Sequence, residues 1–415
     1  MTEKRKYKNV QTDIVVAGRN YCNILTMVRA LGEAGYAPDV LRVYKKKASR
    51  MNPLQRMKPD ACSKYINRFY ECVASQCENA VVKQLTEIAN PEKKALLIPV
   101  DDYTACIVDE ALDELTKYYI VPNVNRQQGK ISLLMDKNEQ KKLAKPFNLP
   151  VLEGALIKSE GGSFDIPEGL DYPCFVKPNI SMNSTKAKMA KCSNEEELRS
   201  LLSAYAAAGD FEMLVEKFAD IKAEYSLLGL STEHGVAAPA LFKALRGGHR
   251  ERKGVAVTGE VVETDAFQEI IENCSKFVSS LNYCGIFDID LIETKDGNVY
   301  FVEINFRAGA SMYAFTKAGV NLAGMFADNL LKKVAFDNAC SISKSGIQFV
   351  SEKGLLEEYI RGDISKADYK ACINEADVCF VRNDADEKPY LHYERIEKYA
   401  DLLRFAYRLK DAIKS

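Results

Sequence analysis

The sequence has almost no excess charge of either sign. Its 57 Lys and Arg residues are balanced by 58 Asp and Glu residues, and the formal net charge is −1. A chain-wide basic field for nucleic acid is therefore absent, and we expect no nucleic-acid partner. No apolar run approaches the ~20 residues that cross a bilayer. Because the charged start of the chain also lacks a secretion signal, we expect a cytoplasmic protein with no membrane partner.

Signatures of several common active sites are also missing. The 12 Cys residues include no Cys-x-x-Cys pair, so zinc and dithiol redox sites are not indicated, and we expect reduced, mostly buried thiols. There is no Gly-x-Ser-x-Gly nucleophile motif. Gly18 lacks the rest of a Gly-x-Gly-x-x-Gly fingerprint, and His234, His249 and His392 form no ligand cluster. Serine nucleophiles, nicotinamide binding and histidine–metal chemistry are therefore disfavoured.

The order of apolar segments predicts more than one domain, as expected for 415 residues. Strands and helices alternate in residues 1–125, which predicts a parallel, helix-covered α/β sheet. Residues 126–335 follow a different pattern with an antiparallel hairpin, typical of an α+β arrangement. Residues 336–415 predict a small C-terminal subdomain, with a dimer surface as the alternative. Its final helix is expected to pack on the core through Leu402, Leu403, Phe405, Ala406 and Leu409. We expect domain boundaries near residues 125 and 335.

In the first domain, polar residues follow two of the predicted strands. Arg19 and Asn20 come after Gly18 at the end of the first strand, and Asp101 and Asp102 follow a later strand. Ligands of parallel sheets bind beyond the carboxyl ends of the strands, so these are candidate site positions. An ordinary turn that opens a helix remains the alternative for Gly18.

The hairpin over residues 285–305 carries the strongest chemical signal. An Asp-Gly turn between alternating apolar runs predicts the hairpin itself. Glu303, Asn305 and Arg307 point to one face of its second strand, because side chains alternate with a period of two. Asp290 on the partner strand can join them. Such an all-oxygen cluster suits Mg²⁺ carrying nucleotide phosphates, and the alternative is a surface hairpin with cross-strand ion pairs.

Together with Lys137, Lys177 and the strand end Glu216-Lys217-Phe218, this hairpin resembles the ATP-grasp superfamily of ATP-dependent carboxylate ligases. The resemblance covers roughly residues 136–331 and is closest in layout to D-aspartate ligase and carbamoyl-phosphate-synthase-like carboxylate–amine ligases. It implies a pre-ATP-grasp, Rossmann-like domain, then a two-lobed ATP-grasp fold and a small C-terminal subdomain.

The resemblance assigns the nucleotide to one group of residues. Lys137 and Lys177 would contact the phosphates of ATP. Glu216, with the backbone of Lys217 and Phe218, would line the adenine pocket, and Glu224 would hold the ribose. Ser184 lies in a loop without glycine, where its hydroxyl would donate a hydrogen bond to the phosphates. The alternative is a polar surface loop with no role in binding.

The resemblance assigns metal and catalysis to the hairpin. Asp290, Glu303 and Asn305 would bind one or two Mg²⁺ ions, with Mn²⁺ as the alternative. Arg307 is the catalytic residue and would stabilise charge on the transferring phosphoryl group or the acyl phosphate. Residues 243–254 carry several cations and predict a mobile anion-binding lid, with a solvated basic loop as the alternative.

The implied activity is an ATP- and Mg²⁺-dependent carboxylate–amine ligase. A carboxylate would attack the γ-phosphate of ATP, and an amine would capture the acyl phosphate, which releases ADP and phosphate. The partners are then small molecules, with an amino-acid or peptide-like substrate, and a homodimer is the assembly that the resemblance suggests. Two alternatives stay open: a bicarbonate-using enzyme that forms carbamoyl or carboxy phosphate, and an ATP-binding protein without turnover.

Overall fold

The structure, a computed structural model, describes residues 12–45, 58–74, 79–180, 189–247, 256–405 and 407. These residues contain three sheets. The first is parallel in every pairing, with the strand order β3-β2-β1-β4-β5. Its strands are β1 Ile14–Gly18, β2 Asp39–Tyr44, β3 Phe69–Val73, β4 Ala95–Pro99 and β5 Tyr119–Ile120.

Four helices accompany this sheet: α1 Tyr21–Glu33, α2 Ala80–Ile88, α3 Asp102–Glu110 and α4 Leu112–Leu115. The strands β1 and β4 are buried at every residue, because helices cover both faces of a parallel sheet and leave no polar face. The side chains of Asn20 and Asp101 cap α1 and α3. The predicted site positions therefore lie at helix starts beyond the carboxyl ends of β1 and β4.

A connecting segment leads to a second, antiparallel sheet with the order β7-β10-β8-β9. The connection contains β6 Asn123–Val124, α5 Lys130–Leu134 and α6 Lys137–Ala144. The sheet is built from β7 Gly154–Lys158, β8 Cys174–Pro178, β9 Ala190–Cys192 and β10 Glu212–Lys217, with α7 Glu195–Ala206 packed against it. The loop between β8 and β9, which includes Ser184, lies largely outside the described residues.

The third sheet is the largest and runs β15-β14-β11-β12-β13-β16-β17, with β6 paired to β14. Its strands are β11 Ile221–Thr232, β12 Gly235–Gly247, β13 Ala256–Val262, β14 Tyr283–Thr294, β15 Val299–Asn305, β16 Ile347–Val350 and β17 Val378–Cys379. The remaining helices are α8 Gln268–Ser280, α9 Met312–Lys317, α10 Leu322–Lys332, α11 Glu352–Arg361, α12 Lys366–Glu375 and α13 Lys388–Glu397.

The C-terminal segment packs on the first helix of the chain. Arg29 of α1 forms an ion pair with Asp386 at 3.1 Å, and both side chains are almost fully buried. Arg29 also donates to the carbonyl oxygens of Phe380 and Val381 at 2.7 Å each. Since a buried charge is costly unless it is paired and hydrogen-bonded, this network fixes how the two ends of the chain meet.

The predicted fold class, α/β followed by α+β, is confirmed, and three local expectations are wrong. Residues 243–247 belong to strand β12, not to a loop, because they pair with β13 up to Gly247 opposite Ala256. The apolar residues Ile107, Leu112 and Leu115 predict one helix over residues 104–118, but the chain divides at Ala111 into α3 and α4. Leu402 and Phe405, expected in the core, are 63% and 61% exposed. Ala406 and Leu409 lie outside the described residues.

The described cysteines match the expectation of reduced, mostly buried thiols. All 11 of them are free, and seven are buried. No helix in the described part of the chain is both long and apolar enough to span a bilayer.

Candidate functional site

The hairpin of β14 and β15 brings the three predicted metal ligands together. Its register places Asp290 opposite Glu303 and Asp288 opposite Asn305. The Asn305 side-chain amide donates to Asp290 Oδ2 at 3.4 Å, and the Ser226 hydroxyl on the neighbouring strand β11 donates to Asp290 Oδ1 at 3.3 Å. We call Asp288, Asp290, Glu303 and Asn305 the acidic hairpin.

The pKa values of two carboxyls in the acidic hairpin are shifted in opposite directions. Burial, with the negative charges of Asp288 and Glu303, raises the pKa of Asp290 well above its usual range. Burial also acts to raise the pKa of Glu303, but Lys137 and Lys177 outweigh it and hold that pKa below its usual range. The hairpin therefore concentrates carboxyl groups, and ionisation is favoured at Glu303, which faces lysine, but disfavoured at Asp290.

Arg307 links the acidic hairpin to helix α3, which packs on the parallel sheet. Its Nη1 donates to Asp288 Oδ2 at 3.0 Å, and its Nε donates to Asp102 Oδ1 at 2.9 Å. Gly309 lies so close that a Cβ there would sit 2.7 Å from Asp288 Oδ2. The guanidinium is thus held from two sides, and its position depends on a residue 205 positions earlier in the chain.

Three buried lysines face the acidic hairpin, and we call Lys137, Lys141 and Lys177 the lysine wall. Lys137 Nζ lies 2.7 Å from Glu303 Oε2. Lys177 Nζ lies 2.8 Å from Glu216 Oε2, and Lys141 contacts the other oxygen of Glu216. Burial and the nearby Lys137 lower the pKa of Lys177 to about 8, against the opposing carboxylates of Glu303 and Asp290.

Helix α6 is positioned by a glutamine that bonds to the backbone of β15. The Gln140 side chain accepts from Ile304 N at 2.8 Å and donates to Ile304 O at 2.9 Å. The Asp136 side chain caps the helix, so that Lys137 is its first residue. Helix α6, which carries Lys137 and Lys141, is therefore hydrogen-bonded directly to the strand that carries Glu303.

The other predicted nucleotide residues line the same region. Glu216 is 2% exposed and belongs to the end of β10. The backbone N–H groups of Lys217 and Phe218 already donate to the carbonyls of Glu153 and Pro173, both at 2.9 Å. Because these two donors are engaged, an adenine would meet carbonyl oxygens and the Glu216 side chain. The side chain of Lys217 points away, 3.7 Å from Asp171.

Glu224 lies on the same face of β11 as Ser226, two residues away. That spacing is about 7 Å along a strand, so Glu224 is near the acidic hairpin but not in contact with it. Burial raises the pKa of its carboxyl. Ser184 and the tip of the basic segment, including Arg252, lie outside the described residues.

Three residues of this site were not assigned by sequence reasoning, although each had a signal. Lys141 lies one helical turn after Lys137, and such i, i+4 pairs share a face. Gln140 is polar within a helix that must pack on the sheet. Asp288 lies two residues before Asp290 on the same face of the strand.

The acidic hairpin fits a hard divalent cation by the chemistry of its donors. Within the described part of the chain, no three or more His, Cys, Asp or Glu side chains are grouped so that they could hold a metal ion by themselves. The oxygen donors here are two or three carboxylates and the Asn305 amide, the set that Mg²⁺ prefers. The buried Asp288 Oδ1 has no hydrogen-bond partner among the described residues, and the mutual repulsion of Asp288, Asp290 and Glu303 would be relieved by a cation.

Comparison with known proteins gives consistent matches. Residues 142–318 match the family model of the ATP-grasp domain. The chain is 26% identical over 233 residues to a formate-dependent phosphoribosylglycinamide formyltransferase of Ignicoccus hospitalis, which covers 54% of this chain and 56% of the relative. It is 24% identical over 251 residues to D-aspartate ligase of Enterococcus faecium, which covers 57% of this chain and 58% of the relative.

A solved structure of N5-carboxyaminoimidazole synthetase from Staphylococcus aureus with ADP superposes with a TM-score of 0.56. It shares 17% identity and covers 81% of each chain, so the overall fold is shared. The chain spans about half the length of the curated relatives it matches. The predicted resemblance is confirmed for residues 142–318, the part of the chain that matches the ATP-grasp domain.

Proposed function

We propose that the protein is an ATP- and Mg²⁺-dependent carboxylate–amine ligase that acts through an acyl phosphate. The observation that carries this proposal is the opposition of the lysine wall and the acidic hairpin, joined by the 2.7 Å contact between Lys137 and Glu303. ATP carries negative phosphates beside a positive metal ion, so its phosphates can pair with the lysines and its cation with the carboxylates. ATP inserted between the two would exchange the Lys137–Glu303 pair for lysine–phosphate and carboxylate–cation contacts.

Each side of the site would then perform a separate task. Lys137 and Lys177 would bind phosphate oxygens, and Lys141 would hold the Glu216 carboxylate in place beside the base. Asp290, Glu303 and Asn305 would hold Mg²⁺, which when bound supplies charge neutralisation between the phosphates. No side chain forms a covalent bond in this scheme, because positioning and charge neutralisation provide most of the catalysis in phosphoryl transfer.

Arg307 would act on the transferring group from the substrate side. Its Nη1 and Nε are held by Asp288 and Asp102, so its orientation is set before substrate binds. A positive charge fixed at this point stabilises the negative charge of a transferring phosphoryl or an acyl phosphate without reorganisation. The carboxylate would enter from the first domain, on the side of Asp102.

The test is release of ADP and phosphate by the full chain with Mg-ATP and pools of amino acids, small carboxylates and short peptides. We expect release only when a carboxylate and an amine are both present, with a product whose mass is their sum less water. Release with bicarbonate alone would replace the proposal with a carboxy-phosphate-forming activity. Tight Mg-ATP binding without ADP release from any pool would instead indicate a binding protein.

Three further features are proposals of the same kind. The chain divides into residues 1–125, 126–335 and 336–415, acts in the cytoplasm, and assembles as a homodimer. Limited proteolysis with mass spectrometry tests the division, and light scattering tests the assembly. A monomer at micromolar concentration would refute the dimer.

A further inference from the structure

A pair of cations lies at the carboxyl ends of β1 and β2, outside the site described above. Arg19 follows β1 and Lys45 follows β2, and these two strands are parallel neighbours. The guanidinium carbon of Arg19 lies 4.5 Å from the centre of the Tyr103 ring, and Lys45 Nζ lies 5.1 Å from the same centre. One aromatic ring therefore holds both cations close together.

The local charge at this place is positive. Asp101 is the carboxylate that pairs with Arg19, through Arg19 Nε at 3.3 Å and Arg19 N at 2.5 Å. Its Oδ1 also accepts from Thr104 N at 3.1 Å and from the Thr104 hydroxyl at 3.2 Å. Burial and then Arg19 lower the pKa of Lys45, and the opposing attraction of Asp101 is the weakest of the three. Repulsion from Arg19 thus exceeds attraction from Asp101.

Donors remain available on both cations. Within the described part of the chain, the Arg19 Nη1 and Nη2 atoms and Lys45 Nζ make no hydrogen bond or ion pair. A guanidinium with two unengaged nitrogens matches the two oxygens of a carboxylate or phosphate. The ring below adds the electrostatic attraction that keeps both cations in place, and the Arg19 side chain is 31% exposed.

This place adjoins the proposed reaction centre. Asp101 and Asp102 are consecutive, so their Cα atoms lie about 3.8 Å apart. Asp101 orients Arg19, whereas Asp102 holds Arg307 and lines one pocket together with Lys137, Glu303 and Asn305. A small molecule anchored at Arg19 could therefore present a reacting group to Arg307.

We propose that Arg19 and Lys45, above Tyr103, form the subsite for an anionic group of the second substrate, either a carboxylate or a phosphate. Its assignment to a substrate rests on the proposed function, whereas anion binding itself does not. The substrate class is then a small molecule that carries one anionic group for this subsite and a separate carboxylate or amine that reacts.

The test is a calorimetric titration of the full chain, saturated with Mg-ADP, with inorganic phosphate and separately with succinate. We expect at least one probe to bind wild type with a dissociation constant below about 10 mM. The double variant Arg19→Gln, Lys45→Gln should weaken that binding at least about tenfold, whereas Lys83→Gln on the exposed face of α2 should leave it within about twofold. The tighter probe identifies the anion, phosphate or carboxylate.

Two controls distinguish loss of anion binding at this subsite from misfolding of the variant and from failure of the proposed function. The double variant should unfold at the temperature of wild type, because Asp101 keeps its bonds from Arg19 N and Thr104. Equal affinity in the double variant and Lys83→Gln, or no binding of either probe by wild type, would overturn the subsite. Binding without any ADP release would retain the subsite and refute the ligase.

Discussion

The acidic hairpin and the lysine wall belong to the same site, but different kinds of contact bring their residues together. The acidic hairpin is formed by residues close in sequence, and strand register alone places Asp290 opposite Glu303. The lysine wall combines α6 with β8 and depends on Gln140, which joins α6 to β15 across 164 positions. Local pairing therefore makes the negative half of the site, and tertiary packing makes the positive half.

The two halves also differ in how their charge is satisfied. Each carboxylate of Glu303 and Glu216 meets a lysine, whereas Asp290 receives hydrogen bonds from the neutral Asn305 and Ser226. Within the described part of the chain, the carboxyl of the site that no cation pairs directly is thus Asp290, and burial and its carboxylate neighbours raise its pKa. This difference indicates where a cation would bind, and four experiments can break or sharpen it.

The largest effect is expected for Glu303→Gln. This change removes a carboxylate from the acidic hairpin and leaves Lys137 without its ion-pair partner. We expect ADP release to fall by about a thousandfold or more, the scale of losing electrostatic stabilisation at a reaction centre. The matched control is Glu293→Gln in the same hairpin, whose carboxylate bonds Lys222 on the other face. Unchanged turnover in Glu303→Gln would remove the metal assignment.

The lysine wall can be tested by pH. Lys177 has a pKa of about 8, so it carries its charge below that pH and loses it above. Affinity for a non-hydrolysable ATP analogue should therefore fall about tenfold between pH 7 and pH 9. Lys177→Arg keeps its charge throughout this range and should give a flat profile. Equal profiles for the two proteins would show that Lys177 does not bind phosphate.

The residues of the acidic hairpin are easier to predict from the sequence than those of the lysine wall, and the reason is physical. An Asp-Gly turn and a period of two determine which side chains share a face, so Asp290, Glu303 and Asn305 were identified together. Helical spacing and polarity single out Lys141 and Gln140, but their partners lie on distant strands, and no local pattern identifies those partners. The pairing of Arg307 with Asp102 likewise joins residues that lie 205 positions apart in the chain.

The same limit explains the errors at the edges of the fold. Arg246 and Gly247 read as a loop because glycine and cations are poor strand formers, yet pairing with β13 continues to Gly247. Leu402 and Phe405 read as core because they recur at helical spacing, yet both are exposed. Periodicity shows that a helix has an apolar face but not what covers it.

The contact between Arg307 and helix α3 can be tested at Asp102. Asp102→Asn leaves the hydrogen-bond geometry to Arg307 but removes one of its two ion pairs. We expect kcat to fall about fivefold with little change in the KM for ATP, because Arg307 would act on the transferring group and not on the nucleotide. Glu110 is an exposed carboxylate at the other end of the same helix, so Glu110→Gln should leave kcat near that of wild type. A change only in the KM for ATP would place Asp102 in nucleotide binding.

The smallest expected effect is a gain of stability in Asp290→Asn. The pKa of Asp290 is raised in the folded protein, so ionisation opposes folding above the unfolded pKa of about 4 and does not below it. Without metal at pH 8, the variant should therefore unfold with about 1 kcal/mol more free energy than wild type, and this gain should vanish below pH 4. Added Mg²⁺ should raise the melting temperature of wild type more than that of the variant, because a cation relieves the repulsion that the substitution has already removed. A metal-free variant less stable than wild type at pH 8 would mean that the Asp290 carboxylate is already compensated within the protein, and the contrast between the two halves of the site would no longer hold.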